Sequence, residues 1–409
     1  MNLASMDSTK KAATDASIEP VRVLHLNAGN LYGGVETLLT TLARLRDLCP
    51  GMEPHFGICY EGRYSRELIE AKAPVYNLGP VRISQPWTVW RARRRLREIL
   101  RRERFDIIVC HMPWSLAVFG PAVTAAESKL VFWAHGSYGG TGWLERLAKR
   151  VRPDVAVANS RFTASTVGRQ FPSTPLRVVH CASALAETPE APEWRARLRA
   201  EQRVDDRTTV ILQVSRLEPW KGHLIHLCAL SQLPACSKWV CWIAGGPQNS
   251  AEQRYLMRLR DTAHNLGVGD RVKFLGQRTD IPKLLAAADI FCQPNQEPEP
   301  FGLVFIEALW AGRPVVSSAC GGAMEIVDES CGLLVTPGDQ DSLAQSLGRL
   351  IDTPEIRQRL GSAGPARAHK LCDPAAQMEK MRLLFYSIVA QGTRRETAPF
   401  VTGQRSDRQ

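Results

Sequence analysis

The sequence lacks any apolar run long enough to cross a membrane. Of its 409 residues 44% are hydrophobic, yet no apolar stretch approaches the roughly 18 to 20 residues that a bilayer-spanning helix needs. The N-terminal stretch MNLASMDSTKKAATDAS is polar and has no hydrophobic core of the kind found in signal peptides. We therefore expect a cytoplasmic protein, and its length is typical of two or three domains.

The sequence also lacks patterns for metal binding and for disulfides. Its 11 cysteines are scattered, with no CxxC pair and no Cys/His cluster of zinc spacing, which predicts buried, reduced thiols. His223 and His226 are three residues apart on a predicted helix, but no third ligand is near them. The DxD pattern Asp339 and Asp341 precedes a helical segment, where an N-cap is the better interpretation. We expect no metal and no cofactor.

Basic residues are concentrated in the first half of the chain. The formal net charge is +11, and residues 1–200 hold 28 Lys and Arg against 18 Asp and Glu. Residues 90–106 contain eight Arg on a predicted amphipathic helix, which follows Trp87 and starts at Trp90. Such a helix can lie on an anionic membrane, bind a phosphorylated ligand, or pack on its own sheet with a solvated basic face. No recognition module is nearby, so nucleic acid is not an expected partner.

Apolar runs of strand length alternate with segments of helical periodicity along most of the chain. Six such runs lie between residues 21 and 180 and six between 209 and 337. This alternation predicts an α/β fold with two Rossmann-like, doubly wound domains that face each other across a cleft. The predicted segments are a disordered tail over 1–20, a first domain over 21–183, a linker with a short helix over 184–207, a second domain over 208–373, a terminal helix over 374–390 and a frayed tail over 391–409.

The loops after the predicted strands are the candidate ligand site, because ligands of open α/β sheets bind at the carboxyl ends of the strands. Gly33 and Gly34 precede the first helix without the GxGxxG spacing of a dinucleotide site. They suit either the approach of a phosphate or a tight turn. Arg216 and Lys221 follow the first strand of the second domain, where they suit a diphosphate or are solvated loop cations.

The stretch EPEPFGLVFIEALWAG places Glu299 and Glu307 on either side of a predicted helix start. Gly302 permits a close backbone approach, and the first amides of the helix would form an anion site. The carboxylates are too far apart to share a proton or one metal, so they would flank an anion and accept hydrogen bonds from hydroxyls. A ligand with hydroxyls on both sides of a diphosphate is a nucleotide sugar. The alternative is a helix with an ordinary surface Glu at each end.

Residues 21–390 as a whole resemble the group 1 glycosyltransferases, family 4 of the retaining enzymes, which have the GT-B architecture. The most specific part is EPFGLVFIEALWAGRPVV, which matches the E-x7-E motif of the family. The segments SRLEPWKG, FLGQRTDIPKLLAAADIF and GGAMEIV are also similar, as is the Gly-Gly pair before the first helix. The spacing and the following Pro-Phe-Gly favour Glu299 over Glu297 as the first Glu of the motif.

The resemblance implies roles for four charged residues of the second domain. Glu299 would contact hydroxyls of the donor sugar, and Glu307 would hold the ribose. Arg216 and Lys221 would bind the donor diphosphate and neutralise it as it leaves.

Further roles implied by the resemblance fall on both domains. His135, in WAHG, matches the active-site histidine of the family, and Gly34 with its neighbour Gly33 would lie near the donor phosphates. Gln277 falls where the base is usually recognised, largely by backbone. The backbone amides that would cradle the donor phosphate and sugar are those of Phe301, Gly302, Leu303 and Val304.

The resemblance implies a metal-independent enzyme that transfers a sugar with retention from a nucleoside-diphosphate sugar to a glycan or lipid-linked glycan. Such chemistry belongs to the biosynthesis of cell-envelope polysaccharide or lipopolysaccharide, with the enzyme peripheral on the inner face of the cytoplasmic membrane. The leaving phosphate would help to deprotonate the acceptor, since no carboxylate is placed as in retaining hydrolases. The alternatives are a GT-B nucleotide-sugar epimerase, a pyridoxal-phosphate-dependent phosphorylase and a catalytically degenerate subunit that only binds nucleotide sugar.

Overall fold

The structure is a computed structural model that describes residues 19–126, 128–184 and 191–396. The predicted N-terminal tail lies outside this part of the chain except for its last two residues, and so does the predicted C-terminal tail from residue 397 onward. Within the described residues, every helix is too short or too polar to cross a bilayer.

As far as it is described, the first half of the chain forms a seven-stranded parallel sheet. Its strands are β1 (Val21–Asn27), β2 (Met52–Ile58), β3 (Val75–Asn77), β4 (Ile107–His111), β5 (Lys129–Ala134), β6 (Val155–Ala158) and β7 (Leu176–Val178). Their order across the sheet is β3-β2-β1-β4-β5-β6-β7. The accompanying helices are α1 (Gly34–Arg44), α2 (Arg63–Glu70), α3 (Pro86–Arg102), α4 (Met112–Val123), α5 (Trp143–Ala148) and α6 (Arg161–Gln170).

The second half, over its described residues, forms a six-stranded parallel sheet. Its strands are β8 (Thr209–Val214), β9 (Trp239–Ala244), β10 (Val272–Gly276), β11 (Ile290–Gln293), β12 (Val315–Ser318) and β13 (Gly332–Val335). Their order is β10-β9-β8-β11-β12-β13. The helices are α7 (Ala191–Glu201), α8 (His223–Ser231), α9 (Ser250–Asn265), α10 (Ile281–Ala287), α11 (Leu303–Trp310), α12 (Ala323–Ile326), α13 (Gln340–Asp352), α14 (Pro354–Cys372) and α15 (Pro374–Glu396).

The two sheets confirm the predicted doubly wound α/β class. Central strands such as β4 and β9 are buried at every residue, as expected when helices cover both faces of a parallel sheet. The strand order reverses at β1 and β4, and again at β8 and β11, and such switch points open a crevice at the carboxyl edge. The sequence did not predict β3, because it is a three-residue edge strand that is only partly buried.

The stretch predicted as a linker contributes α7, which is tied to the second sheet by a buried carboxylate. Arg195 and Arg199 of α7 donate hydrogen bonds to the two oxygens of Asp289, at 2.7 and 3.1 Å. The backbone N–H of Val210 donates to the same carboxylate at 2.8 Å. Burial opposes ionisation of Asp289, but these partners together lower its pKa. Arg199 itself is 1% exposed, so α7 belongs to the packed second domain.

Helix α15 follows the second domain in sequence but packs against the first. Met378, Met381 and Phe385 are fully buried in one continuous core with residues of β1, β2 and α1. The thiol of Cys49 donates to the carbonyl of Met378 at 3.8 Å. The helix continues to Glu396, six residues beyond its predicted end. This crossing gives the two domains a shared core.

The cysteines form no disulfide, and eight of the eleven are buried. The prediction of buried thiols is confirmed for these eight. Cys228 and Cys320 are partly exposed and Cys236 is exposed.

The shared core predicts a large effect of truncating a side chain on α15. Phe385→Ala removes a fully buried ring and should lower the free energy of unfolding by about 3 to 5 kcal/mol, measured by denaturant titration. Leu383→Ala on the same helix is the matched control, since Leu383 is 54% exposed, and it should change stability by less than about 0.5 kcal/mol. Equal effects of the two substitutions would contradict the packing of α15.

Candidate active site

A large cleft between the two domains brings the predicted site residues together. Its volume is about 1930 Å³, and residues of both domains line it. Part of its wall comes from loops that follow strands, in line with the position expected for ligands of open α/β sheets, and helices contribute the rest. Phe301 is absent from the lining, whereas the other eleven of the twelve predicted residues belong to it: Gly33, Gly34, His135, Arg216, Lys221, Gln277, Glu299, Gly302, Leu303, Val304 and Glu307.

An ion pair with little exposure lies on the second-domain wall of the cleft. The Nζ of Lys221 donates to the Oε2 of Glu299 at 2.7 Å, and the Nδ2 of Asn295 donates to the same oxygen at 2.9 Å. The side chains of Lys221 and Glu299 are only 13% and 12% exposed. The ammonium also lies 3.8 Å from the ring centroid of Trp220, a cation–π contact. Since a buried charge is costly without partners, each member of the pair compensates the burial of the other.

The glycine at the start of α11 is required by its backbone conformation. Gly302 has a φ of +105°, which L side chains rarely adopt, and a Cβ there would lie 2.4 Å from the ring of Phe305. The first amides of α11 have no partner within the helix and give this end a partial positive charge. Gly34 of the first domain lies beside the start of α11, because a Cβ built on it would lie 3.8 Å from the Cδ1 of Leu303. The two predicted phosphate loops therefore meet across the cleft.

Arg216 is oriented by two carboxylates. Its Nη2 donates to the Oε1 of Glu252 at 2.7 Å, and its Nη1 lies 2.9 Å from the Oε1 of Glu218. Burial of Glu252 opposes its ionisation, but the N–H of Gln248 and the guanidinium of Arg216 together lower its pKa. Arg216 retains a 36% exposed side chain, so part of its guanidinium remains open to the cleft.

Glu307 differs from Glu299 because its carboxyl group has no hydrogen-bonding partner among the described residues. It lies one turn inside α11, is partly buried, and lines the cleft. Among the described residues, no donor forms a hydrogen bond with its carboxyl group, and burial raises its pKa to about 7. An ionised carboxylate accepts hydrogen bonds, so Glu307 is suited to a ligand that brings hydroxyl groups.

The glycine turn before α1 is held by hydrogen bonds to the buried carboxylate of Glu36. The N–H of Gly33 donates to the Oε2 of Glu36 at 2.9 Å, and Asn27 donates to the other oxygen at 2.7 Å. Glu36 is 8% exposed, and burial raises its pKa. The amide of Gly33 is thus already used, which leaves Gly34 as the glycine of this pair whose amide can meet a ligand.

His135 follows β5 and lines the cleft. Its backbone N–H donates to the hydroxyl of Tyr138 at 3.1 Å, and this hydroxyl donates to the sulfur of Met112 at 3.5 Å. Met112 also lines the cleft and has a φ of +69°, a strained conformation for a non-glycine residue that is typical of functional sites. Burial, and to a lesser extent His25, lowers the pKa of His135 to about 3, so its ring is neutral at physiological pH.

The loop that carries Glu299 is attached to the first domain. The carbonyl of Pro300 accepts hydrogen bonds from the hydroxyls of Ser160 and Thr163, the latter at 3.1 Å. The side chain of Phe301 is 3% exposed and stacks on His180 with a centroid distance of 5.4 Å. Phe301 is therefore a packing residue between the domains, and only its backbone can serve the role that the resemblance implies.

Glu325 of the GGAMEIV segment forms a second tie between the domains. Its carboxylate accepts hydrogen bonds from the N–H groups of Arg161 and Phe162, at 3.1 and 2.9 Å. These amides form the N-terminus of α6, which favours a negative charge. Burial opposes ionisation of Glu325, but His180 and the two amides lower its pKa. The sequence showed this segment only as part of the family resemblance, without its role.

In the part of the chain that the structure describes, no three His, Cys, Asp or Glu side chains are arranged to hold a metal ion. His223 and His226 are buried and engaged: a ring nitrogen of His223 is 3.0 Å from the hydroxyl of Ser215, and one of His226 is 2.8 Å from the side-chain Oε1 of Gln213. Asp339 accepts a hydrogen bond from the N–H of Ser342 at 2.9 Å at the start of α13, which confirms the predicted N-cap.

Sequence reasoning missed the residues that support the site. Glu36, Glu252, Asn295 and His111 are buried polar side chains that orient Gly33, Arg216, Glu299 and His135, respectively. His111 carried a weak signal, since it ends the apolar run IIVCH. The others are ordinary polar residues in the sequence. Glu252 lies 36 residues from Arg216, whereas Glu36 and Asn295 lie only three and four residues from Gly33 and Glu299.

The family models match both domains. Residues 195–367 match the glycosyl transferases group 1, and residues 32–185 match Glycosyltransferase Family 4. A GDP-mannose-dependent monoacylated alpha-(1-6)-phosphatidylinositol monomannoside mannosyltransferase of Corynebacterium glutamicum is 32% identical over 66% of this chain and 73% of its own length. A D-inositol 3-phosphate glycosyltransferase of Salinispora tropica is 36% identical over 53% of this chain and 47% of its own length.

A solved structure supports the same assignment. Anabaena HepE in complex with UDP and glucose superimposes with a TM-score of 0.77 at 26% identity, covering 90% of this chain and 100% of that one. The chain belongs to the group 1 glycosyltransferases of family 4. It is a glycosyltransferase with the two-domain GT-B fold, as the sequence predicted.

The raised pKa of Glu307 predicts a pH dependence of stability. Its pKa in the folded protein is about 7 instead of 4.5, so between these values the folded state binds more protons than the unfolded state. Stability is therefore lost as the pH rises through this window. Glu307→Gln has no carboxyl group at this position and so does not lose stability in this window. The melting temperature of the variant minus that of the wild type should therefore increase from pH 4.5 to pH 7. The exposed Glu297→Gln is the matched control, and the same trend in both variants would contradict the assignment.

Proposed function

We propose that the protein transfers a sugar, with retention of anomeric configuration, from a nucleoside-diphosphate sugar to a glycan or lipid-linked acceptor. The observation that carries this proposal is the arrangement of Lys221, Glu299 and the N-terminus of α11 around one cleft, with Glu307 uncompensated beside them. Lys221, Arg216 and the N-terminus of α11 suit a diphosphate, and the two carboxylates suit hydroxyl groups on either side of it.

In this proposal the diphosphate is stabilised by fixed charges of the protein. Lys221 and Arg216 act on the phosphate oxygens from one wall, and the first amides of α11 and the amide of Gly34 act from the end of the cleft. Preorganised charges of this kind stabilise a leaving group without reorganisation cost. Lys221 is already held by Glu299 at 2.7 Å, so it reaches the phosphate from a defined position. No step of the proposed reaction requires a metal ion.

The hydroxyl groups of the donor are assigned to the two carboxylates. Glu307 would accept hydrogen bonds from the ribose, and Glu299 from the sugar that is transferred. The backbone around Gln277 would meet the base, and His135 would orient the sugar from the first domain. Because Lys221 and Asn295 donate to the Oε2 of Glu299, we assign this carboxylate to binding rather than to nucleophilic attack. Retention is proposed to occur on the front face, with the leaving phosphate accepting the proton of the acceptor hydroxyl.

The relatives support the donor class but differ in the base. One relative is named as GDP-mannose-dependent, whereas Anabaena HepE was solved with UDP and glucose. We propose a nucleoside-diphosphate sugar as the donor of this chain and leave the choice of base to the binding experiment below.

The first-domain side of the cleft supports an acceptor that carries negative charge. Arg44, Arg63 and Arg66 line the cleft there. Glu67 and Glu70 also line this side, and Glu67 pairs with Arg63 at 2.7 Å and Arg44 at 3.5 Å, so two carboxylates face three cations. Two relatives are named for a phosphatidylinositol mannoside and for inositol 3-phosphate, which both carry a phosphate.

Metal-free nucleotide binding tests the donor site. Calorimetry with UDP, GDP and ADP in the presence of a chelator should detect binding of at least one nucleotide by the wild-type protein. Lys221→Gln should weaken this binding roughly tenfold or more, because a charge-assisted hydrogen bond to phosphate is lost. Lys238→Gln, an exposed lysine of the same domain, is the matched control and should bind like wild type.

The reaction itself is followed by NMR with the sugar nucleotide of the preferred base. The expected product has the anomeric configuration of the donor. Binding of no nucleotide would contradict the donor site, and an inverted product would contradict retention. Release of an epimerised sugar without transfer would establish the epimerase alternative.

We also propose that α3 meets an anionic membrane surface. Its apolar stripe does not serve this purpose, since Ala92 and Leu96 are buried against the first sheet. The outer face instead presents Trp87 and Trp90, which are 58% and 59% exposed, among exposed arginines. Exposed tryptophans beside basic residues are suited to the headgroup region of a bilayer.

Cosedimentation with vesicles tests this surface. Arg91→Gln combined with Arg101→Gln should reduce binding to anionic vesicles by roughly thirtyfold, given about 1 kcal/mol per cation near the surface. Arg254→Gln combined with Arg258→Gln removes the same charge from exposed positions on α9 and should leave binding unchanged. Equal losses in both double variants would indicate a general charge effect and contradict a role of α3.

A further inference from the structure

Three histidines form a continuous chain that ends at the cleft; His25 and His111 are buried, and His135 is partly exposed. His25 lies on β1, His111 ends β4 and His135 follows β5, on three strands that are neighbours in the sheet. The Nδ1 of His25 is 3.0 Å from the Nε2 of His111. The Nδ1 of His111 is 2.8 Å from the Nε2 of His135. Within the described residues, the Nδ1 of His135 has no partner and is the nitrogen that remains for a ligand.

The rings of this chain are rigidly packed and neutral. Trp133 stacks on both His111 and His135, with centroid distances of 5.6 and 5.7 Å. Phe56 stacks on His25 at 5.7 Å. Burial is the main reason why the pKa of each histidine lies far below its usual value. Each ring therefore carries one N–H at neutral pH.

One proton per ring allows only two arrangements of the chain. In the first arrangement every Nδ1 is protonated: His25 donates to His111, His111 donates to His135, and His135 presents an N–H to the cleft. In the second every Nε2 is protonated, both links reverse, and His135 presents a lone pair to the cleft. Any mixed arrangement leaves two lone pairs or two N–H groups facing each other, because each link needs one donor and one acceptor.

The buried end of the chain distinguishes the two arrangements. Among the described residues, the Nε2 of His25 has no hydrogen-bond partner and is inaccessible to solvent. In the first arrangement this atom is an unpaired lone pair, whereas in the second it is an unpaired N–H. Unpaired buried N–H groups are rarer in proteins than under-satisfied acceptors, so the first arrangement is favoured.

We propose that His25 and His111 are positioning residues that hold His135 in its Nδ1–H tautomer, so that it donates a hydrogen bond to an oxygen of the ligand in the cleft. This inference deepens the proposed function and rests on it for the identity of the ligand, an oxygen of the sugar or of its phosphate. In this tautomer His135 is a donor, and it does not act as the base that removes a proton from the acceptor hydroxyl.

The tautomer of the unliganded wild-type protein is the direct test. Protein labelled with ¹⁵N-histidine is examined by long-range ¹H–¹⁵N correlation, which separates a protonated ring nitrogen from an unprotonated one. The spectra are assigned with His135→Gln. The expected result is a protonated Nδ1 and an unprotonated Nε2 in His135. A protonated Nε2, or averaging between the two nitrogens, would overturn the proposal.

Two substitutions of His111 test its consequence for turnover. His111→Phe keeps an aromatic ring against Trp133 but removes both links, so His135 should lose its single tautomer and kcat should fall roughly five- to tenfold with a smaller change in KM for the donor. His111→Asn, whose amide N–H lies where the Nδ1–H lies, should restore the tautomer and much of kcat. Loss of activity in His111→Phe without a change in the His135 signals would contradict the positioning role.

The matched control is a buried histidine outside the chain. His55 on β2 is 3% exposed and hydrogen bonds Glu53 at 2.8 Å. His55→Phe should leave the signals of His135 and the turnover unchanged, and a change in either would overturn the proposal. The spectra need no substrate, so the two proposals fail in different ways. If the proposed function is wrong, no sugar transfer is found but the Nδ1–H tautomer is still observed. If the inference about His135 is wrong, transfer is found but the tautomer is not.

Discussion

The path of the loop from Glu299 to Gly302 is the constraint on which the rest of the site depends. Lys221 holds its first residue, the first domain holds the carbonyl of Pro300, and the positive φ of Gly302 directs the chain into α11. The same loop therefore sets the position of a helix N-terminus, an ion pair and a domain contact. A shift in any one of these would move the other two, because only four residues join them.

The carboxylates in and around the cleft fall into two sets, which differ in whether other groups compensate their charge. Glu299, Glu252 and Glu325 are each bound by cations or amides, and these contacts make the scaffold rigid. Glu307 has a raised pKa and no partner in the described part of the chain. An uncompensated carboxylate costs stability, and the position of Glu307 in the cleft is typical of a site in which a ligand supplies the missing partners.

The sequence predicted most of the strands, and eleven of its twelve candidate site residues line the cleft, because both predictions depend on local patterns. Strands are short apolar runs, and the residues directly after them must lie at the same edge of a parallel sheet. The side chain of Phe301 was harder to predict, since its partner His180 is distant in sequence. The chain from His25 to His135 was invisible for the same reason, as its three members are separated by 86 and 24 residues.

By itself the sequence determined the class of fold, the family and the position of the E-x7-E motif, because periodicity and motif spacing are properties of contiguous residues. Only the tertiary structure decided which of these side chains are compensated, which amide of the Gly33–Gly34 pair is left for a ligand, and which nitrogen of His135 remains for the cleft. Hydrogen bonding and burial depend on residues that meet in space across two domains, and a linear pattern does not contain those distances.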